Sequence, residues 1–143
     1  MTADLLVPGD GVLINQPPAH GALPDIPATV WPGNLLFVSG WLDPDLESHT
    51  DVMSQTLGAF ESLQTFLESH ELTLGDAVLM HAYVGSETGR DGYAAGYARF
   101  FGPDQPHRPA HSVVHVVRPS TTTPGALVEI DLIAVRPTVP AHD

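Results

Sequence analysis

Two residue types with distinctive chemistry are missing from this chain. None of its 143 residues is cysteine, and none is lysine. Without cysteine the protein can form no disulfide bond, no thiolate metal site and no cysteine nucleophile. Without lysine it cannot form a Schiff base with a carbonyl substrate. Any catalysis must therefore rely on other side chains.

Positive charge is also scarce. Five arginines stand against 17 aspartates and glutamates, and the net charge is −12. A protein that binds nucleic acid needs a basic face to neutralise phosphates. We therefore expect no nucleic-acid partner, and we interpret the acidity as that of a well-solvated surface.

Long apolar runs are absent as well. No stretch of about 18 apolar residues occurs, so we expect no transmembrane helix and no membrane partner. Residues 1–12 lack the basic start and long apolar segment of a signal peptide, which favours a cytoplasmic location. With 43% hydrophobic and 15% charged residues, the chain has the composition of a globular domain. We expect one domain over 1–143, with an ordered core at about 11–136.

Apolar patterns and turn residues predict six strands and two helices. Their order, β-β-β-α-β-α-β-β, predicts an α/β fold of the two-layer α+β type, in which both helices cover one face of a six-stranded, mostly antiparallel sheet. A hairpin loop is expected at 119–125, between the last two strands. The strands are expected at 11–15, 28–31, 35–39, 77–84, 111–117 and 127–135, and the helices at 48–70 and 91–101.

The longer predicted helix has one apolar stripe. Met53, Leu57, Phe60, Leu63 and Leu67 recur at steps of three and four residues, which places them on one side of a helix. We expect this stripe to be buried against the sheet.

Acidic and imidazole side chains occupy alternate positions of the last two strands. Glu129 and Asp131 share one face of the final strand, because strand side chains alternate between faces. His111, Val113 and His115 likewise share one face of the strand before it. A face with two acids and two histidines is unsuited to helix packing. We therefore expect the acids and histidines to lie together on the sheet face away from the helices, in a cleft or a subunit contact.

Several sequence stretches, in this order, resemble the YjgF/RidA family of small trimeric proteins. The main ones are GNLLFVSG at 33–40, RPAHSVV at 108–114 and ALVEIDLIA at 126–134, supported by Gln55-Thr56 and by YARFF at 97–101. The resemblance covers about residues 11–136. It implies a chorismate-mutase-like fold and a homotrimer with a barrel-like core, in which ligands bind in clefts between subunits.

The resemblance also implies site residues. Deaminases of the family hydrolyse imines and enamines, such as 2-aminoacrylate, to 2-keto acids and ammonia. They use an arginine for the substrate carboxylate, a glutamate for water, a backbone group at a glycine and a tyrosine over the ligand. Here Gly40 matches the glycine and Glu129 the glutamate, whereas His111 replaces the arginine and Ile26 stands at the tyrosine position. Histidine cannot copy the planar two-pronged donor of arginine.

These matches lead to a prediction of roles. We expect Glu129 and His111 to be catalytic, through acid/base chemistry that activates water or moves a proton. Arg118 or Arg108 is an alternative cation for a substrate carboxylate. The residues expected to bind substrate are Gly40, Trp41, Val113, His115, Ile26, Tyr83 and Arg118.

A metal site is a possible alternative for the same side chains. Two histidines two residues apart on a strand, His111 and His115, could bind zinc together with Glu129 and Asp131. The family requires no metal, so we expect neither a metal nor a cofactor.

Three functions fit the sequence. The first is a small-molecule enzyme that hydrolyses or rearranges an imine, an enamine or a related labile metabolite. The second is deamination of 2-imino acids, as in the archetypal family members. The third is a ligand-binding trimer without catalysis. We expect the first, with a small molecule and two further copies of the chain as partners.

Overall fold

The computed structural model describes residues 12–14, 29–31, 33–86 and 89–137. Six strands lie in these segments, and their bounds are β1 Val12–Ile14, β2 Thr29–Trp31, β3 Leu35–Trp41, β4 Ala77–Val84, β5 Ala110–His115 and β6 Val128–Val135. The two α-helices are α1 Val52–Ser69 and α2 Gly89–Phe100, and a 3-10 turn spans Leu74–Asp76.

The six strands form one sheet in the order β1-β2-β3-β6-β4-β5. Every neighbouring pair is antiparallel except β4 and β5, which run parallel. Parallel neighbours need a crossover connection, and α2 provides it. The predicted element order and the mostly antiparallel sheet are confirmed.

Helix α1 begins at Val52 because the preceding residue caps it. The Asp51 carboxylate accepts a hydrogen bond from the Ser54 backbone N–H at 2.7 Å, and Ser54 returns a contact to the Asp51 backbone. This capping box satisfies backbone donors that the first helical turn leaves free. The helix is therefore shorter than the predicted 48–70.

The core lies between the helices and one face of the sheet. Alternate residues of β6 and β4 are buried there, among them Ile130, Leu132 and Met80. Of the predicted α1 stripe, Phe60, Leu63 and Leu67 are fully buried, while Met53 and Leu57 are only half-buried. Helix α1 also packs against α2, where Gly96 of α2 lies against Thr56 of α1.

The expected hairpin at 119–125 is wrong. Strand β5 does not pair with β6, because β4 lies between them. The chain leaves β5 at the sheet edge, crosses the end of β4 and enters β6 in the sheet centre. Backbone hydrogen bonds fix this path, from Val116 N–H to the Val84 carbonyl and from Gly85 N–H to the Leu127 carbonyl.

The expectation that His111 and Glu129 share a face is also wrong. Register pairs Tyr83 of β4 with Glu129, and Met80 of β4 with His111. Side chains of directly paired residues lie on the same face, and Tyr83 and Met80 lie on opposite faces of β4. Glu129 is therefore on the open face of the sheet, and His111 on the face covered by the helices. The alternation of side chains within each strand was predicted correctly. Which residues of two different strands share a sheet face depends on how the strands pair, and the sequence does not show that pairing.

Candidate functional site

A β-bulge in β3 shapes the open face beside the acidic residues. The pairing of β3 with β6 shifts between Val38 and Trp41, so Ser39 and Gly40 together lie opposite Asp131. Gly40 has a φ of 69°, in the left-handed region that only glycine adopts without strain. The sequence element "SG" thus produces a local turn that aims backbone and side-chain donors at β6.

Asp131 is the centre of a hydrogen-bond network on this face. Its Oδ1 accepts the Gly40 backbone N–H at 2.9 Å and the Ser39 hydroxyl at 3.2 Å. Its Oδ2 accepts the Tyr83 hydroxyl at 3.2 Å. The negative charge of Asp131, with burial and this hydrogen bond, raises the pKa of Tyr83, so the phenol remains a proton donor at neutral pH. The three donors hold the Asp131 carboxylate in place.

Glu129 lies next to this network without being tied into it. It is half-buried, and a Cβ at Gly40 would lie 3.1 Å from its Oε1. Within the described part of the chain, no group donates a hydrogen bond to its carboxylate. Burial, and to a lesser extent the charge of Asp131, raise its pKa from the ordinary 4.5 to about 7. A carboxyl group with such a pKa can both accept and return a proton at neutral pH.

A shallow depression of about 220 Å³ adjoins Asp131 on the open face. Its walls combine apolar side chains such as Phe37 and Ile133 with the polar Ser39 and His81. Phe37 is 40% exposed, which is unusual for a large apolar side chain. The open face therefore carries both a half-buried carboxyl group with a raised pKa and apolar side chains that are exposed to water in the single chain.

A second and larger pocket, of about 570 Å³, lies on the other face of the sheet at its β5 edge. It is bounded by α2 and by the side chains of β5 that face the helices. The residues that line it are Arg90, Tyr93, Ala94, Tyr97, His111, Val113 and His115. We call it the α2–β5 pocket.

His111 is held against the aromatic wall of the α2–β5 pocket. Its Nε2 lies 2.8 Å from the Tyr93 hydroxyl, and its ring centre lies 4.9 Å from that of Tyr97. Burial, followed by the charge of His81, lowers the pKa of His111. The imidazole is therefore neutral at pH 7, and in this state it offers no charge to a substrate carboxylate.

The structure separates the predicted site residues into two groups. Gly40 and Tyr83 lie with Glu129 on the open face. Val113 and His115 lie with His111 in the α2–β5 pocket.

Three further predicted residues lie in neither group. Trp41 packs on the helical side, where its ring centre is 5.1 Å from Phe66 and its Nε1 donates to the Ser62 hydroxyl at 3.0 Å. Arg118 is exposed in the segment after β5 and is not within ion-pair distance of Glu129. Ile26 lies outside the described residues.

The zinc alternative fails on geometry. His111 and His115 lie on the helical face of the sheet, and Glu129 and Asp131 lie on the open face. Over the described ranges, no three histidine or acidic side chains come close enough to hold a metal ion. Nor does any helix in those ranges have the length and apolar character needed to cross a membrane.

The fold agrees with a family match. The family model described as endoribonuclease L-PSP matches residues 19–136. The chain belongs to this family, which is also known as YjgF/RidA. No curated protein matches the sequence.

Solved structures of other family members are similar to this chain. Rv2704 of Mycobacterium tuberculosis, a member of the YjgF/YER057c/UK114 family, is 29% identical, with a TM-score of 0.64 over 77% of this chain and 86% of its own. TdcF of E. coli, solved with bound serine, is 26% identical, with a TM-score of 0.72 over 88% of this chain and 99% of its own. Yeast Mmf1, at 19% identity and a TM-score of 0.71 over 89% of this chain and 99% of its own, shares the fold. Members of the YjgF/RidA family thus include a protein that binds a small ligand.

Sequence reasoning missed four residues of these two sites. Ser39 was treated only as part of a strand, although the "SG" pair could have suggested a bulge. Arg90, Tyr93 and Tyr97 recur at steps of three and four residues, which places them on one side of α2. Only the position of β5 beside this side of α2 shows that it lines a pocket.

Proposed function

We propose that this YjgF/RidA family protein hydrolyses an imine or enamine, or a related labile metabolite, with Glu129 as the group that transfers protons. The observation that carries the proposal is the Glu129 carboxyl group: half-buried, without a hydrogen-bond donor among the described residues, and with its pKa raised to about 7. A carboxyl group held for structural reasons would instead be paired or hydrogen-bonded.

The chemistry needs one group that first removes and then returns a proton. Water attacks the carbon of the C=N bond while ionised Glu129 accepts a proton from it. Protonated Glu129 passes this proton to the nitrogen, which gives a neutral carbinolamine and ionised Glu129. Glu129 then accepts the hydroxyl proton as the C=O bond forms and the C–N bond breaks, and it delivers this proton to the departing nitrogen, which leaves as ammonia. Water and imine are consumed, and a carbonyl compound and ammonia are produced. A pKa near 7 serves both steps at neutral pH.

The Gly40 amide has a different role from the one that the resemblance implies. Its N–H already donates to Asp131, so it positions Asp131 rather than a substrate oxygen. Burial, and after it the charge of Asp131, raises the pKa of Glu129. The bulge at Ser39-Gly40 thus positions Asp131, whose charge contributes to the raised pKa of Glu129.

The site becomes a cleft when the open face is covered. We propose a homotrimer in which the open face of each subunit meets a neighbour, as the family resemblance implies. Half-exposed apolar side chains support this assembly, Phe37 and Val114 among them, because they border the acidic network on the open face. We further propose that this contact places the β5 edge of one subunit, with its α2–β5 pocket, beside Glu129 of the next.

The test is imine hydrolysis measured by trapping. Imino acids are generated with an amino-acid oxidase and captured by semicarbazide, and amine-derived imines without a carboxylate form a second substrate series. We expect the protein to reduce trapping and Glu129→Gln to lower this effect at least about 100-fold, the contribution typical of general acid–base catalysis. Circular dichroism should show that the variant keeps its fold.

Glu61→Gln is the matched control, since Glu61 is an exposed carboxylate on α1. It should hydrolyse imines at the wild-type rate. Unchanged trapping in both substrate series, or full activity of Glu129→Gln, would refute the proposal.

A second candidate function is ligand binding without catalysis. It is favoured by the neutral, hydrogen-bonded state of His111 and by the engagement of the Gly40 amide, since both remove groups that archetypal deaminases direct at the substrate. A binding protein would retain its ligand affinity in Glu129→Gln and show no hydrolysis in either form.

A further inference from the structure

The α2–β5 pocket contains an arginine that has no described partner. Arg90 lies in the first turn of α2, is exposed and lines the pocket together with His111. No carboxylate of the described residues lies within ion-pair distance of its guanidinium. A cation in the first turn also opposes the helix dipole, so Arg90 gains nothing from its place in the helix.

The other arginines do not line this pocket, although the charge of Arg108 acts on Tyr97 in its wall. Arg108 donates to the Gly102 carbonyl at 3.3 Å, and Arg136 lies 4.6 Å from the ring centre of Trp31, where it also binds a carbonyl group. In a chain of net charge −12, an anion would be repelled from most of the surface. Among the described pocket residues, Arg90 is the side chain with a permanent positive charge.

The wall beside Arg90 is aromatic. Tyr93, Tyr97 and His111 form a continuous set of rings, with centres 6.2 Å apart for the two tyrosines and 4.9 Å apart for Tyr97 and His111. Tyr97 is backed by Phe101, on which it stacks at 4.5 Å, and this fixes the ring that faces the pocket. Burial raises the pKa of both tyrosines, so the wall is uncharged at neutral pH.

The size of the pocket leaves room for more than a small carboxylate. Its volume of about 570 Å³ lies within the range of sites for ring-containing ligands, roughly 300–1,000 Å³. Ala94 lies between the turns that carry Arg90 and Tyr97, and its small side chain keeps the space between them open.

We propose that the α2–β5 pocket binds the anionic, aromatic part of the substrate, with Arg90 pairing its carboxylate and the Tyr97–His111 wall contacting its ring. The proposal rests on the proposed function, because the same molecule would present its C=N bond to Glu129 of a neighbouring subunit. It assigns the charge that His111 lacks to Arg90. It also predicts that the preferred substrates derive from aromatic rather than small aliphatic amino acids.

Binding measured without turnover separates this proposal from the proposed hydrolysis. Phenylpyruvate, a stable aromatic 2-keto acid, is titrated into the intact protein by isothermal titration calorimetry, with pyruvate as the probe that lacks the ring. We expect saturable binding of phenylpyruvate at least about 10-fold tighter than that of pyruvate. Arg90→Gln should weaken it about 10- to 100-fold, the usual effect of losing a charge-assisted pair.

Three further variants complete the experiment. Arg99→Gln is the matched control, since Arg99 is an exposed arginine in the last turn of α2 and does not line the pocket; it should bind as wild type does. Tyr97→Leu should reduce the preference for phenylpyruvate over pyruvate while leaving pyruvate affinity unchanged. Glu129→Gln should still bind phenylpyruvate saturably and more tightly than pyruvate, so that a failure of catalysis does not count against the pocket.

The proposal is overturned by any of three results. These are the absence of saturable phenylpyruvate binding to the wild-type protein, equal affinity for phenylpyruvate and pyruvate, and an Arg90→Gln variant that binds as tightly as Arg99→Gln.

Discussion

At the scale of single residues, the raised pKa of Glu129 makes the stability of the fold depend on pH. The folded protein holds the Glu129 proton more tightly than the unfolded chain does, because its pKa is raised from 4.5 to about 7 on folding. Its contribution to stability is therefore fully present below pH 4.5 and is lost as pH rises to about 7. Above pH 7 the ionised, half-buried Glu129 carboxylate therefore lowers the free energy of unfolding.

Glu129→Gln should accordingly be more stable than wild type at pH 8 and similar to it at pH 4. Since the side chain is half-exposed and screened by solvent, we expect a gain of only about 1 kcal/mol at pH 8, or about 3 °C in melting temperature. Thermal denaturation of both proteins at the two pH values measures the difference. Equal melting temperatures at pH 8 would mean that burial does not perturb this carboxyl group.

Gly40 is the residue whose backbone conformation the site depends on. Gly40→Ala puts a Cβ at a φ of 69° and 3.1 Å from Glu129 Oε1, so it adds backbone strain and displaces the carboxylate. We expect a loss of about 1–2 kcal/mol in unfolding free energy, together with reduced imine hydrolysis. Chemical denaturation measures the first and semicarbazide trapping the second.

Gly125→Ala is the control for Gly40→Ala, because a Cβ at Gly125 has no atom within 4 Å and the residue does not have a positive φ. Its stability should stay within about 0.5 kcal/mol of wild type. Equal stability of the two variants would show that the bulge does not need glycine.

At the scale of elements, the packing of α1 on α2 sets the position of the α2–β5 pocket. A Cβ at Gly96 would lie 2.7 Å from Thr56 Cγ2, so the two helices approach more closely than alanine allows. Gly96→Ala should destabilise the protein by about 1–3 kcal/mol, even though alanine favours helix formation. Gly92→Ala, whose nearest atom would be the Met53 backbone N at 3.3 Å, should cost less. Denaturation curves that show a larger loss of stability for Gly92→Ala than for Gly96→Ala would contradict a closest approach of the two helices at Gly96.

The elements also show what the sequence could and could not predict. Helix α1, strand β4 and the alternation along β6 follow from local apolar patterns, and they were predicted within a few residues. The place of β5 beside β4 was not, because a parallel pair is made through α2 and leaves no local turn signal. The separation of His111 from Glu129 follows from that pairing. Local pattern therefore identifies the site residues of each strand, whereas only the sheet order tells which of them meet.

At the scale of the whole molecule, the open face should be an interface between copies of the chain. In sedimentation velocity we expect a species of about 46 kDa, three times the 15.2 kDa chain. Phe37→Asp should shift it toward the monomer, since a charge buried in an apolar contact costs several kcal/mol. Thr65→Asp, on the exposed side of α1, should leave the assembly unchanged. A wild-type protein that sediments as a monomer would leave Glu129 without a cleft.

The most direct test of Glu129 as the proton-transfer group is the pH dependence of imine hydrolysis. The kcat/KM of the wild-type protein, corrected for uncatalysed hydrolysis at each pH, should rise as Glu129 ionises and should report an ionisation near pH 7, because Glu129 must be ionised to accept a proton from water. Any residual activity of Glu129→Gln should lack that ionisation. A wild-type profile without an inflection between about pH 6 and 8, or the same inflection in Glu129→Gln, would show that another group carries the proton.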